Sequence, residues 1–340
     1  MSKNRIKIEM PGLKIPIALM VDDPAPCINP LYYFRKQVNK IEAPTVGEGI
    51  PMIPEIPNDF LVQFVELVHQ MGIKGKFSLL PYPAGLGSIE TGLEGFKRED
   101  VEEFVSLVRD ELTPNFDITP EVLTHTLALD LKTYKLKDIS EHDWSQKQDR
   151  NTLREYIGEA LRILKNVGID ANGVTSPCNF GQQVEEEYAG AILDAQKAIN
   201  GRSLSWYFLH VEVEEKCVLP QLMHLDRASG EAVVSIVSGC GDHLWQTMGS
   251  LKTDEDYISA IADNYISSDG TKGRLLELFN NASYIVFHTH WQSLFSNGSR
   301  IGLKILKEVA SRINRILGNK VIWMKCSEIA RYFATAHSGV

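Results

Sequence analysis

Cysteine is scarce in this 340-residue chain, and what there is forms no pattern. Cys27, Cys178, Cys217, Cys240 and Cys326 include no pair at CxxC spacing, which excludes a zinc knuckle and gives no disulfide framework. Free thiols are expected, and Cys178 and Cys240, near proposed strand ends, read as small packed thiols rather than nucleophiles. No strongly basic run occurs and the formal charge is -9, so a nucleic-acid partner is not expected. No apolar stretch is long enough to span a bilayer. The one beginning near Ile15 is short and ends in two aspartates, the signature of a buried strand, so no membrane partner is expected. A charged, apolar and small-residue leader is also missing from the start, which makes the cytoplasm the expected compartment. Finally, no linker-like segment splits the chain, so residues 1–340 read as one domain.

A repeated unit of helix, glycine and strand is what the sequence has instead. Asp59 to Gln70 is periodically apolar, stops at Gly72, and is followed by the strand-like Lys76 to Leu80. Asn151 to Asn166 stops at Gly168 before Gly173 to Pro177, and Val184 to Asn200 stops at Gly201 before Ser205 to His210. Ile301 to Leu317 stops at Gly318 before Lys320 to Met324. Repetition of that unit implies a parallel sheet. Further strands are expected at Pro16 to Val21, Val122 to Thr126, Ala232 to Val237 and Ser283 to His288. The fold class is therefore α/β, a distorted (β/α) barrel of seven or eight mostly parallel strands. The long, Pro- and Gly-rich segments follow the strands, which places the working face at their carboxyl ends.

Several chemically competent groups fall at those ends. IALMVDDPAP puts Asp22 and Asp23 at the end of an apolar strand; neighbouring carboxylates repel, which suits one to hold a cation and the other a proton, although loop capping is an equal use. EVLTHTLALD offers His125 with Asp130 five residues on, a pair that closes on one metal if the chain turns tightly. In ASYIVFHTHW, His288 and His290 share one side of a strand with Val286; a general acid, a metal ligand or a stacking partner for Trp291 all stay open. Asp242 and His243 in SGCGDHLW form a rival pair on the same face, and Tyr32, Tyr33, Phe34 and Trp144 supply flat rings for a sugar or simply anchor their loops.

In chain order, the Asp22-Asp23 strand end, the His125-Thr126 segment, the Pro177-containing GVTSPCNFG and the late VFH ending at His288 resemble the polysaccharide deacetylases of the NodB-homology family. The likeness runs from about Ile15 to Phe333 and includes the closing VIWMKCSEIARYF. What the resemblance implies is a divalent-metal hydrolase in which Asp23 and His125 are metal ligands and Asp22 is the base. His288 protonates the leaving amine, or His290 in its place, and Thr175, Pro177 and the aromatic loops meet the substrate. The family's second metal histidine falls here on Asp130, or on Leu129 at the shorter spacing, and its arginine falls on Thr175. An acidic donor set of this kind accepts Zn, Mn, Co or Fe.

The expectation is thus a carbohydrate (N-acetyl sugar) deacetylase or a related C–N amide hydrolase, with a carbohydrate or small amide as substrate. Two other readings accompany it. One is a glycoside hydrolase pairing Asp22 with Asp130 or Asp242. The other is a degenerate barrel that binds sugar without catalysis, suggested by the missing arginine and histidine.

Overall fold

The computed structural model describes residues 11–338; the reading of residues 1–10 as lacking a leader lies outside them. Eight parallel-type strands organise the chain: β1 (Ile15–Asp22), β2 (Gly75–Leu79), β3 (Phe116–Pro120), β4 (Gly173–Thr175), β5 (Leu204–Val211), β6 (Glu231–Ser238), β7 (Ile285–His290) and β8 (Val321–Trp323). They form two sheets. One runs β7-β1-β2-β3 with β8 on the start of β1; the other runs β6-β5-β4 and gains the antiparallel Gln221–Asp226 at its edge. Isolated bridges join the sheets at two seams, Glu121 with Thr175 and Cys240 with Phe287. The result is an α/β fold with mainly parallel sheets, and the ladders do not continue across the seams as an unbroken barrel would require.

Helices arise where the sequence has its 3.6-residue apolar period, and glycine ends them. Gly72 at φ +67° and Gly201 at +66° take the left-handed conformation after the helices Asn58–Met71 and Glu185–Asn200, which turns each chain end back into β2 or β5. The helices Arg150–Asn166 and Ile301–Ile316 likewise precede β4 and β8.

One expected strand is displaced. Val122 to Thr126 is not extended: Val122 has φ +33° and His125 φ +61°, and the carboxylate of Glu141 accepts the amides of Leu123, Thr124 and His125 at 3.2, 3.0 and 2.9 Å. The strand lies earlier, at Phe116–Pro120, because that segment pairs in register with β2.

Strand alternation sorts the side chains into two cores. Ile17, Leu19 and Val21 of β1, with Phe77 and Leu79 of β2, pack on the helices. Ala18 and Met20 of β1, Trp206 and Phe208 of β5, Val234 and Ile236 of β6 and Val286 of β7 fill the space between the sheets, closed at one end by Ile329, Ala330 and Ala334 of the helix Cys326–Ser338. The same alternation sends Lys76 and Ser78 of β2 and Thr119 of β3 to the side opposite Phe77 and Ile118, and all three are fully buried. The interior is therefore apolar along β1, β5, β6 and β7 and polar along β2, β3 and β4. No helix among the described residues is long and apolar enough to cross a membrane.

Candidate active site

A cleft of about 200 Å³ opens at the carboxyl ends of the strands, lined by Asp22, Asp23, Glu121, His125, His288, His290 and Gln292 together with apolar side chains. Each group arrives for a local reason. Asp22 continues the even-numbered face of β1 and points between the sheets, where it meets the fully buried Lys76 Nζ in an ion pair at the floor of the cleft. That ammonium also donates to Ser78 Oγ (2.5 Å) and Thr175 Oγ1 (3.0 Å) and lies 4.8 Å from the centre of the Phe208 ring. Thr175, where the resemblance places an arginine, thus faces a cation delivered from another strand. It does not line the cleft; it sits beneath Asp22.

Asp23 is the next residue, but φ +69° turns it out of the strand direction. An aspartate tolerates that region better than most side chains, and residues held there commonly mark functional turns. Its backbone N–H donates to Glu121 Oε2 at 2.7 Å, and Gln292 Nε2 donates to its Oδ2. Its Oδ1 lies 2.8 Å from His125 Nε2, which in turn lies 3.4 Å from Glu121 Oε1. The Asp23 Oδ1 atom is buried without an aligned hydrogen-bond donor.

Asp23, Glu121 and His125 offer ligand atoms all within 4.8 Å of one another. An ion with bonds of about 2.1 Å holds neighbouring donors roughly 3 Å apart, which the 2.8 and 3.4 Å separations match. The residues present therefore fit a divalent cation. Electrostatics agree: burial pushes Glu121 well above the usual carboxylate range, and the charges of Asp23 and Asp22 push it further. Burial opposes ionisation of Asp23 most strongly, yet the charge and hydrogen bond of His125, the charge of His290 and the Gln292 hydrogen bond together outweigh it and hold the carboxyl far below its ordinary value. Against burial, Asp23 lifts His125 to about 10. Three groups so mutually perturbed are ones whose protonation a cation would settle.

On the opposite wall, His288 and His290 both face the cleft with ring centres 5.5 Å apart, and their surroundings differ. His288 Nδ1 is 3.2 Å from Ser238 Oγ and 3.1 Å from the Cys240 carbonyl, at the seam; burial, with the His290 charge, lowers its pKa. His290 Nδ1 is 2.8 Å from Asp242 Oδ2. Burial works against its charge, but that bond and the charges of Asp23, Asp242 and Asp22 raise it to about 9. Asp242 also accepts from Ser293 Oγ at 2.7 Å and Thr289 Oγ1 at 3.0 Å, so it is a positioning carboxylate held behind His290.

Other residues singled out from sequence lie elsewhere. Asp130 sits on the hairpin of Leu127–Asp130 and Lys135–Ser140, where it accepts from Lys137 Nζ at 2.9 Å and from the Thr133 amide at 3.0 Å; it is not brought to His125. Trp291 is fully buried among Phe60, Phe64 and Phe77. Trp144 packs at a tilt with its ring centre 4.5 Å from that of Tyr156, Tyr32 packs by the Val46, Met52 and Met248 cluster, and His243 and Tyr265 meet edge to face at 4.9 Å. Pro177 is buried in the turn after β4. Lys76, Glu121 and Gln292 are site residues that sequence reasoning missed. A glutamate four residues before His125 was the available signal for Glu121, whereas Lys76 and Ser78 alternate with Phe77 and Leu79 as on a strand with one solvent face and gave none.

Comparison with known proteins gives fold and no family. No family model matches the chain, and no curated protein does. Among solved structures, a Mycobacterium smegmatis protein assigned as a polysaccharide deacetylase superposes with a TM-score of 0.53 at 11% identity, covering 97% of this chain and 94% of its own. A 4-alpha-glucanotransferase from Thermococcus litoralis (TM-score 0.41, 12% identity, 94% of this chain and 38% of that one) and a sialic acid aldolase from Ruminococcus gnavus (0.32, 11%, 91% and 77%) are too distant to carry an argument. What the chain shares with the first of these is its α/β architecture over nearly the full length of both proteins.

Proposed function

We propose that this protein is a metal-dependent hydrolase of a C–N amide bond, built on one domain whose two sheets close as a distorted barrel of seven or eight strands. Deacetylation of an N-acetylated carbohydrate is the reaction that the deacetylase resemblance indicates. The observation that carries the proposal is the convergence of Asp23, Glu121 and His125 beside Asp22 and opposite His290 in one cleft.

Asp23, Glu121 and His125 would hold the cation. When bound, such an ion polarises an amide carbonyl and acidifies a water molecule. Asp22 takes the proton of the attacking water while Lys76 keeps its carboxylate oriented. A C–O bond forms, the C–N bond breaks, and the departing nitrogen takes its proton from His290. The Asp242 bond and the neighbouring carboxylates raise that imidazole to about 9 in the metal-free protein, which favours the protonated form a donor needs. His288, whose pKa is lowered, suits a neutral hydrogen-bonding role. The glycoside hydrolase pairing finds no support in these positions, because Asp130 is tied into its hairpin and Asp242 is committed to His290.

The test is metal analysis of protein purified without chelators, followed by acetate release from N-acetylated sugars and simple amides. Asp23→Ala is expected to lose the metal and the activity together, and exhaustive chelation to reproduce the loss in the wild type. Full activity in either sample removes the assignment.

A further inference from the structure

The polar side chains of the cleft are nearly all spent on the chemistry already described. Beyond the acids, the histidines and Gln292, the wall is Leu31, Phe34, Phe208, Leu209, Val211 and Trp245. Ser176 and Cys178 are the other polar side chains among the described lining residues, and the Ser176 hydroxyl already donates to Tyr188 Oη at 2.9 Å. A sugar ring seated here would bring several hydroxyls to a wall with few partners, and a site rejects polar groups that it leaves unpaired. The cleft, open on one side, holds only about 200 Å³, below the roughly 300–1,000 Å³ of clefts that take drug-sized ligands.

The apolar groups are not spread evenly. Trp245 meets the edge of His290 at 4.9 Å and is 38% exposed, and Val211 at the mouth is 39% exposed. His290 protonates the departing nitrogen in the reading above, so these two side chains flank whatever that nitrogen carries.

From this placement we infer that the substrate is a small amide whose nitrogen bears a flat, apolar substituent, and that Trp245 is the residue that selects it. The inference rests on the amide-hydrolase reading and narrows it: the polymer expected of a polysaccharide deacetylase gives way to a compact, weakly polar amide. The leaving group is then an apolar amine whose ring stacks against the indole, while the acyl carbon stays at the acidic cluster.

The experiment compares N-benzylacetamide with N-acetylglucosamine and its tetramer on the metal-loaded protein, following amine release, with direct binding measured by calorimetry. The benzyl amide is expected to be cleaved with a kcat/KM at least tenfold above either sugar. Trp245→Ala is expected to raise KM for the benzyl amide about tenfold with a smaller change in kcat, and Trp245→Phe to restore most of it. Because Trp245 is partly exposed, the alanine variant should fold, and its melting temperature checks that. Faster cleavage of the tetramer, or a Trp245→Ala defect of equal size on all substrates, overturns the inference and leaves the amide-hydrolase reading standing. If no amide is cleaved, tighter binding of the benzyl amide than of the sugars sustains the cleft assignment while the reaction falls; tighter binding of the sugars overturns it.

Discussion

Asp22 and Asp23 are joined by one peptide bond and belong to different electrostatic regions. Asp22 follows the pleat of β1 inward onto the Lys76 side chain, with Ser78 and Thr175 completing its surroundings. Asp23, rotated out of the pleat at φ +69°, meets an imidazole and a second carboxylate and has a buried oxygen with no aligned donor. A lysine paired with one carboxylate oxygen fixes the direction in which that carboxylate points; a cluster of carboxylates and imidazole asks for an ion. The difference shows how one strand end supplies both a base and a ligand without the two competing. The kink, more than the residue type, separates the roles.

That separation is most sharply tested by exchanging each charge alone. Asp22→Asn should keep its bound metal and lose about 10²–10⁴-fold in kcat, the usual value of a general base. Asp23→Asn should lose metal and activity together. If both variants lose metal equally, the two carboxylates share one role and the contrast fails.

Next in size is the cation itself. Lys76→Met removes the ion-pair partner of the buried Asp22 carboxylate and should cost about 3–5 kcal/mol in urea unfolding, as expected when one partner of a buried pair is removed. Adding Asp22→Asn to it should recover much of that loss, because no charge is then stranded. Additive losses in the double variant would mean that Lys76 acts by packing on Phe208 and not through Asp22.

His288 and His290 extend the contrast to the other wall, where the same alternation delivers two imidazoles but only one receives a carboxylate. In metal-free protein the His290 pKa of about 9 exceeds its unfolded value near 6.5, so its folded state binds the proton more tightly. The stability it contributes is fully present below about pH 6.5 and is lost as pH rises toward 9; the shift amounts to at most on the order of 3 kcal/mol. Asp242→Asn should flatten that decline in a comparison of melting temperatures across the window, and in the metal-loaded enzyme should bring the alkaline fall of kcat/KM to lower pH. An unchanged alkaline limb would assign the acid to another group.

Those elements that repeat a simple period were legible in the sequence. The glycine-stopped helices, β1 with its two aspartates, and the late histidines all follow from apolar spacing and turn chemistry. Lys76 was not, because a lysine among apolar residues reads as a strand's solvent face until the facing sheet is known to cover it. Glu121 was lost with its strand. Val122 to Thr126 has the β-branched, apolar look of an extended segment, yet its amides are gathered by the distant Glu141, and only the register with β2 places the strand at Phe116–Pro120. Both misses depend on which surfaces meet, information that no local window holds.

Asp130 supplies the smallest expected effect and the sharpest check on that argument. By spacing alone it was as good a partner for His125 as any residue downstream, but a tight turn after the strand would be needed to return it to the cleft. The chain instead enters a hairpin, and Asp130 accepts the Lys132 and Thr133 amides within the turn as well as Lys137 across it. Those donors hold its carboxyl below the ordinary range, with the Lys137 ammonium the main cause. Asp130→Asn should therefore leave metal content and kcat unchanged and produce a smaller drop in melting temperature than Lys76→Met. Loss of metal in that variant would mean that the hairpin folds back onto His125 and that Glu121 is the structural residue of the two.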